Sequence, residues 1–244
     1  EQGETWWMEP EAIDECLYRP GIRAGVKKGA RSHLEEFFGP MLAIICVETL
    51  EEALEVQNAT EYGLTAGLHS LNQDEIEYWF ANVQAGNLYV NRGITGAIVQ
   101  RQPFGGWKRS SVGAGFKAGG PNYVQQFGTW HKEPIEEILA PLDEKIELLL
   151  SEAATIMSGE EIAQLRTSFV LDSQSWNKEF GIAKDVSNLG VEINALRYVP
   201  RDNVTIRVSR DADDFDVARV IGAALLTNSP VKISTAIDRH HIFA

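Results

Sequence analysis

The apolar positions of the first hundred residues come in two rhythms. Met41-Leu42-Ala43-Ile44-Ile45-Cys46-Val47 is a short continuous apolar run behind Gly39-Pro40, the pattern of a strand buried on both faces. Leu50, Ala53 and Leu54 then recur at helical spacing, and Thr49 with Glu52 forms a capping-box pattern, so 49–59 reads as a helix. A turn at Glu61-Tyr62-Gly63 leads into a strand-like run, Leu64 to Ser70. Ile76, Trp79, Phe80 and Val83 then mark a helix over 74–83, and Leu88-Tyr89-Val90 a further strand. Strands alternating with helices predict an α/β layer built on a parallel sheet. Residues 1–33 are mixed and turn-rich, with breaks at Pro20-Gly21 and Lys28-Gly29; Trp6-Trp7 reads as a buried anchor.

The second half changes character near His131. Asn122 to Trp130 reads as a strand whose aromatics need a covering surface. Ile135, Ile138, Leu139, Leu142, Ile146, Leu149, Leu150 and Ala153 follow helical spacing. Pro134 suits a first helical turn and Pro141 a break or kink. Ser158-Gly159-Glu160-Glu161 opens another helix with a capping-box pattern, and Trp176 and Phe180 fall in a helical turn that ends at Gly181. A strand over 203–208, a helix over 213–227 and a strand over 230–234 make a βαβ unit.

Between the two halves lies Gly86 to Pro121, rich in glycine and without helical periodicity. Long loops inside compact domains usually carry function. Arg92-Gly93-Ile94-Thr95-Gly96-Ala97 can turn several backbone N–H groups toward one small anion, and Arg92, Arg101, Lys108 and Arg109 add positive charge. Two readings fit these residues: an anion-binding loop on a scaffold, or a glycine-rich surface loop that packs against a neighbouring domain.

Net charge narrows the partners. At −13 the chain is a poor nucleic-acid binder and disfavours anionic membrane surfaces. It has no apolar run of membrane-spanning length. Two cysteines, Cys16 and Cys46, give no disulfide framework and suit a reducing cytoplasm. His240-His241 and the acidic run Asp211, Asp213, Asp214 and Asp216 lack the accompanying ligands of a zinc or calcium site, so no metal is expected. The chain starts Glu1-Gln2-Gly3 and ends His240 to Ala244, which reads as a piece of a longer protein.

The stretch GNLYVNRGITGAIVQRQPFGG, with GFKAGGPNYV after it, resembles the C-terminal end of an aldehyde dehydrogenase. More narrowly it resembles the L-glutamate γ-semialdehyde (1-pyrroline-5-carboxylate) dehydrogenases, and most of all the C-terminal part of bifunctional proline utilization A. The resemblance implies an NAD-dependent oxidation of glutamate γ-semialdehyde to glutamate in proline catabolism, with FAD in a separate proline dehydrogenase domain if the parent is bifunctional. It implies a substrate carboxylate held by the backbone of Gly96 and Ala97, with Phe104 of QPFGG packing on the substrate's aliphatic part. The segment Glu35-Glu36-Phe37-Phe38-Gly39-Pro40 resembles the family's cofactor contact. There Glu36 would hydrogen-bond the nicotinamide ribose and Phe38 lie near the nicotinamide ring, with Leu64 of the YGL.AG pattern close by.

The implied organisation is an α/β fold. Residues 1–130 form the C-terminal half of a catalytic domain, with an oligomerisation strand near its end. Residues 131–244 form a helical and βαβ domain like the C-terminal domain of the longer proline utilization A enzymes, and a homo-oligomer is expected. The βαβ unit is a degenerate Rossmann-like one. It has Ser209-Arg210-Asp211 where the family has Pro-Trp-Asn, Ser234-Thr235 in place of Lys-Pro, and no GxGxxG fingerprint. A fold relic serving assembly is expected there. The family's chemistry uses a cysteine nucleophile and a general base. Cys16 lacks the glycine-rich context, and Cys46 reads as an inert strand residue. No catalytic residue is expected within these residues, and the fragment alone is expected to be inactive until joined to upstream domains. Two alternatives stand: a non-catalytic assembly or active-site-covering module, and an aldehyde dehydrogenase for another substrate.

Overall fold

The computed structural model of the chain describes residues 3–98, 101–113, 116–131 and 136–235. The chain divides into two units, Glu1–Gly128 and Thr129–Ala244, each with its own buried core.

The first unit opens with β1 (Thr5–Met8), β2 (Ala12–Asp14), β3 (Leu17–Tyr18) and β4 (Gly21–Ala24), followed by α1 (Arg31–Leu34) and β5 (Met41–Ile44). β4 is central in a three-stranded sheet, antiparallel to β1 and parallel to β5, while β2 and β3 form their own hairpin. The turn-rich reading of this stretch is therefore corrected: much of it is exposed strand, where burial imposes no alternation. Trp6 and Trp7 are not a buried anchor. Trp7 is 70% exposed, and Trp6 lies under the Arg23 guanidinium, 5.5 Å from ring centroid to Cζ. The apolar run at 41–47 is also less buried than expected. β5 is the edge strand of its sheet, and Leu42 on it is 56% exposed, so this strand is not buried on both faces. Cys46 lies beyond the strand and is exposed, which overturns its reading as an inert core residue.

The alternating segment gives α2 (Leu50–Asn58), β6 (Tyr62–Gly63), β7 (Thr65–Leu68), α3 (Gln73–Asn82), β8 (Asn87–Val90) and β9 (Trp107–Lys108). Both helices start where their side chains can cap them. Thr49 Oγ1 accepts the Glu52 N–H at 3.2 Å, and Asn72 Oδ1 accepts the Asp74 N–H at 3.0 Å. α3 carries the chain from β7 to β8, which pair in parallel from Thr65↔Asn87 to Leu68↔Val90. Leu54, Ala66, Trp79, Val83 and Ala85 are buried together beneath the two helices. The indole N–H of Trp79 is satisfied by Gln57 Oε1 at 3.0 Å. Among the described residues β5 and β7 belong to different small sheets, so the parallel pairing is real but the single sheet is not. Periodicity fixes which face of a strand is buried, not which strand it pairs with.

The expected strand over 122–130 is absent. Val124–Phe127 is a 3-10 turn instead. Helical spacing brings Tyr123 and Phe127 edge to face, with centroids 5.8 Å apart, and Asn122 Oδ1 accepts from the Gln125 amide.

The second unit contains α4 (Glu144–Ala153) and α5 (Gly159–Ser175), which runs into a π-turn over Trp176–Phe180. After these come β10 (Lys184–Asp185), β11 (Ala195–Leu196), β12 (Val204–Val208), α6 (Asp214–Leu226) and β13 (Val231–Thr235). The helical pattern is broken at Pro141, as expected, and α4 begins after it with Asp143 as its N-cap; Pro134 and Ile135 lie outside the described residues. Ser158 and Glu161 form the full reciprocal capping box at the start of α5. β12 and β13 pair in parallel, Val204↔Val231 to Val208↔Thr235, with α6 between them in the chain, as the βαβ pattern predicts. Ile146, Leu150, Leu165, Phe169 and Ala218 share one core cluster, and Ile206, Val208, Val217 and Ile221 another. The pair His240-His241 lies outside the described residues.

Candidate functional site

The glycine-rich stretch leaves the end of β8 and is pinned where it begins. Asn91, with φ of 56°, donates from Nδ2 to the Ser70 carbonyl at 2.8 Å, and its Oδ1 accepts the Ser70 N–H at 3.0 Å. Ile94 lies directly over Gly67 of β7, where any β-carbon would overlap its Cγ2. Beyond it the backbone turns outward. Gly96 has φ of 84°, and Gly96 and Ala97 are both exposed. Among the described residues no acceptor takes the Gly96 or Ala97 amide hydrogen. Two successive donors offered to solvent in this way suit a carboxylate oxygen.

The stretch is pinned again where it returns. Asn87, the first residue of β8, is 8% exposed. Its Nδ2 donates to the Pro103 carbonyl at 3.1 Å and its Oδ1 accepts the Gly105 N–H at 3.1 Å. Phe104 and Ala118 exchange backbone hydrogen bonds of 2.9 Å in each direction. The Phe104 ring is held at 36% exposure, an apolar wall that still faces solvent. Leu64, 41% exposed, joins the same base, because its carbonyl accepts the Asn87 N–H at 3.0 Å. The structure thus brings Leu64, Phe104 and the two ends of the Gly96-Ala97 loop together on β8.

Glu36 and Phe38 lie elsewhere in the same unit, on the segment between α1 and β5. Glu35 is engaged by Arg31, whose Nη2 donates at 3.0 Å, and its carboxyl is held below the usual range by that hydrogen bond. Its neighbour Glu36 is exposed and, among the described residues, makes no ion pair. Phe38 is 94% exposed at φ of 45°, a left-handed conformation that bulky side chains rarely adopt. An aromatic held in strain with its ring in solvent is uncommon except at ligand sites. A free carboxylate acceptor beside an exposed aromatic fits the hydroxyls of a ribose and the face of a flat ring, so these residues suit the nicotinamide nucleoside half of a dinucleotide.

Two of the cations expected around the loop are used otherwise. Lys108 Nζ donates to the carbonyls of Asn58 at 2.5 Å and Thr60 at 3.0 Å, closing the C-terminal end of α2. Burial lowers its amine below the ordinary lysine value. Arg109 pairs with Glu61. What sequence reading missed is Lys117. Its Nζ donates to the carbonyls of Gly86 at 2.5 Å and Gly105 at 2.7 Å, and approaches Asn87 Oδ1 at 3.4 Å. Burial pushes its amine down to about 8. Lys117 stands in the quoted GFKAGGPNYV stretch, but its role is not marked there, since its acceptors are backbone oxygens twelve and thirty-one residues away.

In the second unit the turn after β12 is acidic. Asp213 caps α6 by accepting the Phe215 N–H at 3.0 Å, with Asp214 and Asp216 in the first helical turn. Asp211 is held ionised below the usual range by the Ser209 hydroxyl. A helix N-terminus filled by its own carboxylates is poorly suited to a pyrophosphate.

The parallel β7–α3–β8 unit, the exposed glycine-rich loop after it and the left-handed Phe38 all lie in the stretch that matches the aldehyde dehydrogenase family. The chain belongs to the aldehyde dehydrogenase family, whose profile matches residues 2–132. It is 48% identical over 106 residues to a 1-pyrroline-5-carboxylate dehydrogenase of Bacillus thuringiensis (strain Al Hakam), a match covering 43% of this chain and 20% of that protein. The solved structure of proline utilization A from Corynebacterium freiburgense matches 98% of this chain and 24% of its own, with 42% identity and a TM-score of 0.85. A 1-pyrroline-5-carboxylate dehydrogenase from Thermus, solved with bound NAD, is 45% identical over 44% of this chain and 20% of its own, with a TM-score of 0.42. The chain therefore spans about a fifth of the curated relative's length. Among the described residues no helix is long and apolar enough to cross a membrane.

Proposed function

We propose that this chain is the C-terminal part of an NAD-dependent L-glutamate γ-semialdehyde dehydrogenase that oxidises the semialdehyde to glutamate. The observation that carries this reading is the loop after β8, whose Gly96 and Ala97 amides are exposed and have no acceptor among the described residues, with the partly exposed Phe104 ring where the same loop returns. A carboxylate-bearing aliphatic aldehyde matches both features, and an aldehyde without a carboxylate gains nothing from paired donors. The naming of the Bacillus relative and of the Corynebacterium protein supports the same substrate.

In this reading Gly96 and Ala97 hold the substrate carboxylate, and Phe104 covers its methylene chain and keeps water away from it. Glu36 accepts from the ribose, while Phe38 and Leu64 wall the nicotinamide. NAD, when bound, supplies the hydride acceptor for the oxidation. The nucleophilic cysteine and the general base come from chain upstream of these residues, so the chain by itself is inactive. Residues 1–130 serve the catalytic domain. Residues 131–244 serve assembly and bind no nucleotide, as the acidic start of α6 favours.

The test is NAD-linked oxidation of glutamate γ-semialdehyde by the full-length protein, comparing wild type with Gly96→Trp. Tryptophan keeps the backbone N–H but rarely adopts the φ of 84° at this position, so the backbone turns and the amide leaves the carboxylate; a lost hydrogen bond to a charged group is worth about 1.5–3 kcal/mol, so kcat/KM for the semialdehyde falls at least about tenfold. Activity on an aldehyde without a carboxylate is retained. Equal loss on both substrates would remove the carboxylate anchor from this loop.

A further inference from the structure

The geometry points to Lys117 as a positioning residue for the substrate side of the site: its ammonium ties the returning end of the anchor loop to the start of β8 and so sets where Phe104 stands. The inference rests on the functional reading above for the identity of the substrate, but its structural half stands without it.

Three chain segments meet at this amine. Gly86 precedes β8 and Asn87 begins it, Gly105 follows Phe104, and Lys117 precedes Ala118, the backbone partner of Phe104. An ammonium has three N–H donors and no acceptor, and it faces three oxygens here. The fit depends on glycine. A β-carbon on Gly86 would overlap the Gly105 carbonyl, and one on Gly105 would press on Lys117 Cγ at 3.0 Å. The segments therefore approach closely only because these positions lack side chains. The Gly86 and Gly105 carbonyls are thereby brought to one cation, Lys117 Nζ. Without it, such a pair of like dipoles would open. Asn87 adds a second tie, to Pro103 and Gly105, but it reaches neither Gly86 nor the Lys117 segment through those bonds. Lys117 joins all three at one group, whereas Asn87 and the Phe104–Ala118 pair each join two.

This makes a different claim from a general contribution to folding. Phe104 has its ring partly in solvent and no core cluster holds it among the described residues. Its position is set by its backbone, through Ala118 on one side and Gly105 on the other, and Lys117 governs both. The carboxylate donors Gly96 and Ala97 are tied through Asn91 at the opposite end of the loop. Loss of Lys117 therefore loosens the wall while leaving Glu36 and Phe38, on the α1–β5 segment, as they were.

The test is Lys117→Met, which keeps the aliphatic stem and removes the donors, read in two ways. In this chain, amide hydrogen exchange is followed by mass spectrometry in the peptide covering Phe104 to Gly106 and in the peptide covering β12. The expected result is exchange about tenfold faster in the first and unchanged in the second. In the full-length enzyme, KM for glutamate γ-semialdehyde rises about tenfold, while kcat and KM for NAD stay within about twofold. If Lys117→Met does not fold, Lys117→Gln, which still donates one hydrogen bond, carries the same two comparisons. Unchanged exchange at Phe104 to Gly106 would overturn the inference. So would a fall in kcat and a rise in both KM values together, the signature of a merely structural residue. A wild-type enzyme inactive on the semialdehyde would sink the functional reading, whereas the exchange comparison would still decide the clamp.

Discussion

Phe38 shows how a single residue can hold function against stability. Its φ of 45° costs of the order of 1–3 kcal/mol, and its 94% exposure returns little burial. Phe38→Gly removes that strain. It is expected to raise the urea midpoint of this chain, by about 1 kcal/mol of stability, and to raise KM for NAD severalfold in the full-length enzyme. A drop in stability instead would mean that the ring is held by packing and that its exposure is not a ligand surface. Gly96, Ala97, Phe104, Glu36, Phe38 and Leu64 are proposed for the site because family motifs mark their positions. Lys117 and Asn87 were not legible. Their work is done on backbone oxygens, which leave no side-chain signature for a pattern to match. Lys108 and Arg109 were misplaced for the complementary reason: charge is visible in a sequence, but its partner is not.

At the scale of elements, capping proved the most readable signal. Thr49, Ser158 and Asp213 all cap the helices that follow them, because a cap is a local event settled within three or four residues. The loop between β10 and β11 is equally local but was not anticipated. There Asp185 accepts from the Ser187 hydroxyl at 2.7 Å and from the backbone N–H groups of Asn194, Asn188 and Ser187. Those bonds lower its carboxyl to about 2, with the Ser187 hydroxyl the largest cause. A carboxyl lowered in the folded state stabilises that state above its unfolded value near 4 and ceases to do so as pH falls from there toward 2. The wild-type chain is therefore expected to lose urea stability between pH 5 and pH 2.5 by more than Asp185→Asn does. Equal losses would mean that the bonds at Asp185 do not outlast its exposure to solvent. The strand expected at 122–130 failed at this scale. Aromatic and β-branched content favours strand only where a neighbouring strand pairs with it, and the chain closes a 3-10 turn on Tyr123 and Phe127 instead.

At the scale of the whole molecule, each unit is held by a close approach that no local pattern records. In the second unit α6 meets α5 at Gly222, where a β-carbon would fall inside the Phe169 ring, and Phe169 is 2% exposed. Gly222→Leu is expected to cost this chain about 1–3 kcal/mol or more through overpacking, read as a lowered urea midpoint; a change below about 0.5 kcal/mol would mean that the two helices can part without loss. By itself the sequence determined the α/β class, the starts of the capped helices, the parallel βαβ of the second unit, and the place of the long glycine-rich loop. These follow from periodicity, caps and glycine content, which act over a few residues. Only the tertiary structure decided that the first unit's strands lie in separate small sheets, that Trp7 and Cys46 face solvent, and that Lys117 gathers three distant segments. Such outcomes depend on which surfaces meet across tens of residues, and chain closure and packing settle them, not local preference.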